Sequence, residues 1–221
     1  MAFSKQELAD SIIYPHTDGK PMAENTKQLR WIVSLYTNLR WLVQSKETEA
    51  FVAADLFWYP VEGEPRIVVA PDVMVVVGRP DGDRLSYQQW KENDQPPQLV
   101  IEVLSPGNRP LEMREKESFY ERHGVQEYLV IDPDERAFQV FLRKEDGWQK
   151  SDFPLVKWQS PLLGFWLKQE EGELHAYYPD GSPFKTFDQI QTELEEEKRK
   201  AKEAQAEVER LRARLRELGE E

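Results

Sequence analysis

The chain has 221 residues, 41 acidic against 29 basic side chains, and a formal net charge of −12. That balance excludes general coating of nucleic acid through clustered Lys and Arg, although a local basic groove or a metal ion can still reverse the sign of one site. The absence of cysteine excludes disulfides and thiolate-bound zinc.

With histidine only at 16, 123 and 175, any metal is expected on carboxylate and carbonyl oxygens, which suits magnesium, manganese or calcium. No apolar run approaches the roughly 20 residues that span a bilayer. The start, Met1 to Glu7, lacks the apolar core of a signal peptide. A cytoplasmic location without membrane contact is expected.

Residues 1–25 read as a polar start and a loop, with Pro15, Gly19 and Pro21 as punctuation. From Thr26, Leu29, Ile32, Val33, Leu35, Tyr36, Leu39, Leu42 and Val43 recur at three- and four-residue spacing. That spacing predicts a helix over about 26–45, capped by Asn25 or Thr26. Phe51 to Trp58 reads as a strand, followed by a turn over 59–65. Arg66 to Val77 reads as a second strand, with Pro71 at an edge, bulge or strand start. Residues 78–97 form a loop with a short helical turn around Tyr87–Trp90.

Gln98 to Leu104 is a third strand and 105–110 a loop. Residues 111–123 read as a helix ended by Gly124. Gln126 to Ile131 is a fourth strand, and an Asp146-Gly147 turn joins two more over 137–143 and 147–153. The segment 160–167 and a strand over 173–178 complete the domain. Residues 188–218 differ, having no Gly, Pro or aromatic residue. Leu194, Ala201, Val208 and Leu215 form one seven-residue series; Ala204, Leu211 and Leu218 form another, broken at Glu197. This a/d pattern predicts a coiled coil, in a homodimer. Two domains are expected, 1–187 and 188–221.

The chemistry concentrates between Ala70 and Lys116. Asp72 opens the run Val73-Met74-Val75-Val76-Val77, and Glu102 stands inside Gln98-Leu99-Val100-Ile101-Glu102-Val103-Leu104. Val-rich runs of this kind read as strands buried on both faces, where a carboxylate needs compensation. Two carboxylates on adjacent strands can hold a divalent cation, and the carbonyl of Val103 can add a third oxygen. Lys116, on the following helix, could position water or stabilise charge developing on a phosphate.

These residues resemble a known family. Pro71-Asp72-Val73, Val100-Ile101-Glu102-Val103-Leu104-Ser105-Pro106, Lys116 with Tyr120, Gly124-Val125-Gln126-Glu127-Tyr128 and Asp132-Pro133 are similar to the Uma family of restriction-endonuclease-like proteins of bacteria. That family belongs to the PD-(D/E)XK nuclease superfamily. The resemblance spans about residues 14–180. It implies an α/β (α+β) fold with a mixed sheet core flanked by helices, to which the C-terminal coiled-coil helix is added. It also implies a Mg²⁺- or Mn²⁺-dependent endonuclease acting on DNA. Asp72 and Glu102 then become metal ligands with the Val103 carbonyl, and Lys116 the catalytic lysine.

The superfamily lysine two residues after the glutamate is absent, since Leu104 stands there. Lys116 takes that role in the resemblance, with Glu112 one helical turn earlier able to orient it or to touch a second metal. Glu24 is the candidate acidic residue from the first helix; its other reading is a charge favoured by the helix dipole. Asp55 reads as the end of a cross-strand pair rather than part of the site. Arg66, Arg79, Arg84, Arg109 and Arg114 read as surface charge, and the histidines and tryptophans as surface, core or interface residues. The alternative reading is an inactive nuclease-fold scaffold that dimerises through its coil.

Overall fold

The apolar repeat after Asn25 folds as helix α1, Thr26–Ser45, in the computed structural model, which describes residues 12–19, 21–151 and 155–218. Asn25 is the N-cap, its side chain accepting from the Gln28 N–H at 2.9 Å. Ile32, Leu35, Leu39, Leu42 and Val43 are buried along one stripe. They pack on one face of a six-stranded sheet, against Val73, Val75, Leu99, Ile101, Leu129 and Val140.

The strands are β1 (Ala50–Ala53), β2 (Trp58–Tyr59), β3 (Val73–Val77), β4 (Tyr87–Gln88), β5 (Leu99–Val103), β6 (Glu127–Asp132), β7 (Ala137–Lys144) and β8 (Gly147–Lys150). The main sheet has the order β1-β3-β5-β6-β7-β8. All its pairs are antiparallel except β5 with β6. A parallel pair requires a crossover, and helix α2 (Pro110–Arg122) supplies it. Its Pro110 sits where a missing backbone N–H costs nothing. Behind α2, Met74, Val76, Val100, Tyr128 and Phe141 form the second core layer with Tyr120. Each central strand therefore buries both faces, which explains its unbroken apolar run.

Three sequence expectations change. The run 51–58 is not one strand: Asp55 adopts φ 49° and breaks it into β1 and β2. Only Val73–Val77 of the expected strand 66–77 joins the sheet; before it, Val69 makes a single bridge to Trp58. Tyr87 and Gln88 pair in parallel with β2, and the helical turn follows at Gln89–Lys91. Residues 152 and 153 of the expected last strand, and the polar start 1–11, lie outside the described residues.

Strands β9 (Lys157–Gln159), β10 (Trp166–Glu170) and β11 (Glu173–Tyr177) form a small antiparallel sheet. Its Leu167, Leu174 and Ala176 join the core layer on the α1 side. Glu127, 3% exposed at the start of β6, ties down the approach to this sheet. Its carboxylate accepts from Ser160 Oγ and from the Leu162 N–H, both at 2.6 Å. Burial holds the Glu127 carboxyl above its usual pKa, against the pull of those two bonds.

The chain divides into two compact units between Phe184 and Lys185. The second contains helix α3, Phe187–Leu218. Lys200–Glu197, Arg199–Glu203 and Arg210–Glu207 pair along it at three- or four-residue spacing, each a small helix-stabilising contribution. Ile190, Leu194, Val208, Leu211 and Leu215 are between 43% and 50% exposed. Among the described residues no helix is long and apolar enough to cross a membrane.

Replacing Glu127 by Ala strands two donors in a buried place. The expected loss is roughly 1–3 kcal/mol of unfolding free energy, read by chemical denaturation, with Glu127→Gln losing less.

Candidate active site

The β3–β5 ladder pairs Met74 with Val100 and Val73 with Ile101. Continuing that register by one step sets Asp72 opposite Glu102. Side chains alternate along a strand, so Asp72 points with Met74 and Val76, and Glu102 with Val100, towards the α2 layer. The ladder ends here, and side chains complete it. The Val103 N–H donates to Asp72 Oδ2 at 2.6 Å, and the Val103 carbonyl accepts from Gln28 Nε2 at 2.8 Å.

Glu102 is 2% exposed, and both its oxygens are engaged. Lys116 Nζ donates to Oε2 at 2.7 Å, and the Tyr120 hydroxyl donates to Oε1. Lys116 and Tyr120 lie four residues apart on α2, so one helix face carries both donors to one carboxylate. Tyr120 is fully buried, parallel to Trp58 with ring centroids 6.4 Å apart, and lies 5.0 Å from the Tyr128 ring. The Lys116 side chain is 18% exposed and reaches a cavity of about 530 Å³.

That cavity gathers most of the residues singled out in the sequence. Asp72, Lys116, Glu24 and Glu112 line it, as do Asp18, Asp55 and Gln28, with Phe57 and Tyr59 on its aromatic wall. Glu24 is drawn in by the loop after β5: Ser105 Oγ donates to its Oε2 at 2.5 Å, while Asn108 Oδ1 accepts from the Ser105 N–H. A methyl group on Gly107 would run into the Glu24 carboxylate, which would then have to swing aside. Among the described residues lining the cavity, Lys116 is the one basic side chain. Arg84 faces elsewhere, paired with Glu92 at 2.7 Å and lying over the Phe51 ring.

The charges strain against each other. Burial, and then the facing Glu102, push the Asp72 carboxyl up to about 8, although the Val103 N–H and Lys116 pull it down. Asp55 is also raised, by burial first and then by Asp18 and Glu102. Burial lowers Lys116, but its bond and charge interaction with Glu102, with Asp72 and Glu112 behind, more than offset this and hold it above the usual lysine value. The site thus carries more negative charge than its own lysine offsets.

Whether a divalent cation fits can be judged from this donor set. Among the described residues no three acidic or histidine side chains gather closely enough to enclose one. Asp72, Glu102 and the Val103 carbonyl remain, and Mg²⁺ characteristically uses one or two carboxylates and leaves other positions to water and substrate phosphate. Asp72 lines the cavity, whereas Glu102 and Val103 are buried behind it with their oxygens hydrogen-bonded; by donor chemistry the set fits an open site of that kind.

A family model described as "Putative restriction endonuclease", Uma2, matches residues 4–170. The chain belongs to this family. The Uma2 description places it among nuclease-like proteins. No curated protein matches it. Among solved structures it is similar to "a putative nuclease belonging to DUF820 from Anabaena variabilis ATCC 29413", at 19% identity over 72% of this chain and 89% of that one, with a TM-score of 0.47.

Three neighbours of this Uma2 site have roles that local sequence does not announce. Asp55 sits in the cavity rather than merely ending a cross-strand pair, its N–H donating to the Pro71 carbonyl at 3.1 Å. The signal available is a polar residue that tolerates positive φ inside an apolar run. Gln28, 5% exposed, has the sequence context of an ordinary polar helix position. Tyr120 stands in the family resemblance, but nothing beside it in the sequence marks it as a donor to Glu102.

The raised Asp72 carboxyl has a consequence for stability. The unfolded chain releases that proton near pH 4 and the folded one near 8. Between those values the folded state holds more protons, so stability falls as pH rises. Metal-free Asp72→Asn should therefore melt above wild type at pH 8 by a few degrees or more, and the gap should narrow towards pH 4. Thermal unfolding in chelator at several pH values reads this directly.

Proposed function

We propose that this chain is a metal-dependent endonuclease that hydrolyses phosphodiester bonds in DNA, using Mg²⁺ or Mn²⁺. The convergence of Asp72, Glu102 and Lys116 at one sheet end, beside an acidic cavity, carries this reading. Asp72, Glu102 and the Val103 carbonyl would hold the cation. When bound, it supplies positive charge that polarises a phosphate and acidifies water. Lys116 places the site's own ammonium where it can orient the attacking water or offset charge developing on the phosphate oxygens.

Against the effect of burial, Glu102 first, with Asp72 and Glu112 behind it, favours the charged form of Lys116. Glu24, fixed by Ser105 and Gly107, adds a carboxylate on the far wall. The chain's net charge of −12 repels a polyanion, so a cation held there would also supply the positive charge that a phosphate needs in this cavity.

A second reading is favoured by a separate observation. Both Glu102 oxygens already have protein donors, as they would in a scaffold that has lost its chemistry. The exposed heptad residues of α3 then offer the working surface, in a coiled coil between two copies. The dimer is compatible with either reading.

Incubating purified protein with supercoiled plasmid and Mg²⁺ separates the two. Wild type should nick or linearise the plasmid, and chelator, Asp72→Ala or Glu102→Ala should reduce cleavage by about a hundredfold or more. Equal behaviour of wild type and Asp72→Ala would leave the scaffold. For the dimer, light scattering should give twice the chain mass for the full chain and a single chain mass after deletion of residues 188–221.

A further inference from the structure

The hydrogen bonds of Glu102 pose a problem for any metal-dependent reading. A cation held by Asp72 and Glu102 would bring a second positive charge to a carboxylate whose Oε2 already carries the Lys116 ammonium, and two cations repel across one oxygen. The two donors differ in kind. Tyr120 is fully buried, packed between Trp58 and Tyr128, and among the described residues its hydroxyl donates only to Glu102. The packed ring holds that hydroxyl against Oε1. Lys116 stands at the cavity wall on a four-carbon stem, and Glu112, Asp72 and Asp55 line the same cavity. The ammonium therefore has other acidic partners when it leaves Oε2.

We infer that Lys116 is an exchangeable internal cation: it occupies the Glu102 oxygen that a divalent ion needs, yields it when the ion binds, and is thereby released into the cavity, while Tyr120 holds the other oxygen throughout. This rests on the metal-dependent reading above. Tyr120 is in this account a positioning residue, acting on the substrate only through Glu102. The exchange links two events that must coincide. A free lysine is delivered into the cavity only when the metal is in place. Without metal, the same ammonium partly offsets the two facing carboxylates that the sheet register forces together.

The sign of one effect tests whether Lys116 opposes the metal at Glu102. If Lys116 competes for Glu102, its removal strengthens metal binding even as it abolishes cleavage. Mn²⁺ titration by calorimetry at pH 8 should show Lys116→Met and Lys116→Gln binding roughly tenfold more tightly than wild type. Tyr120→Phe should bind about tenfold more weakly, as expected when the partner that orients a metal-binding carboxylate is lost. Far-ultraviolet circular dichroism and melting curves establish that each variant is folded. Equal or weaker Mn²⁺ binding in both folded lysine variants overturns the exchange and leaves the metal reading standing. Absence of Mn²⁺ binding in wild type overturns both.

Discussion

Two carboxylates face each other across the last rung of an antiparallel ladder, and the rest of the site follows from that. The β3–β5 register places Asp72 opposite Glu102 on the face covered by α2. Like charges directly opposite on a sheet repel, and an apolar surrounding raises the cost of each. Every neighbouring polar contact reduces that cost. The Val103 N–H donates to Asp72, Tyr120 and Lys116 donate to Glu102, and Gln28 completes the buried ladder end from α1. The raised Asp72 carboxyl shows that these contacts do not suffice.

The crossover between β5 and β6 explains why the lysine can sit so far along the chain. A parallel pair obliges the chain to return through a helix, and α2 starts just past the end of β5. Its second and third turns therefore pass over the ladder end, where Lys116 and Tyr120 meet Glu102. Leu104 follows the last residue of β5, and the ammonium at Glu102 comes from the helix, on a four-carbon stem.

Much of this arrangement is legible in the amino-acid sequence. The buried stripe of α1 follows from apolar spacing, and the two-sided burial of β3 and β5 from unbroken Val and Ile runs. The carboxylates stand out because they interrupt those runs, and Glu112 and Lys116 because they lie one helical turn apart. The rest depends on distant pairing. Asp55 breaks a strand through a positive φ, and the split that follows sends Trp58 to pair with Tyr87. Gln28 meets Val103 across 75 positions of sequence, and Ser105 meets Glu24 across 81. No local pattern marks such contacts, and single polar residues on a helix give no sign of their partners.

The central claim is that Asp72 and Glu102 share a divalent cation which displaces Lys116. Diffraction from crystals grown with Mn²⁺, collected at the manganese absorption edge, tests it in one measurement. An anomalous peak bonded to both carboxylates, with Lys116 Nζ moved away from Glu102 Oε2, is the predicted result. A carboxylate pair without such a peak, and with the ammonium still on Glu102, would contradict it.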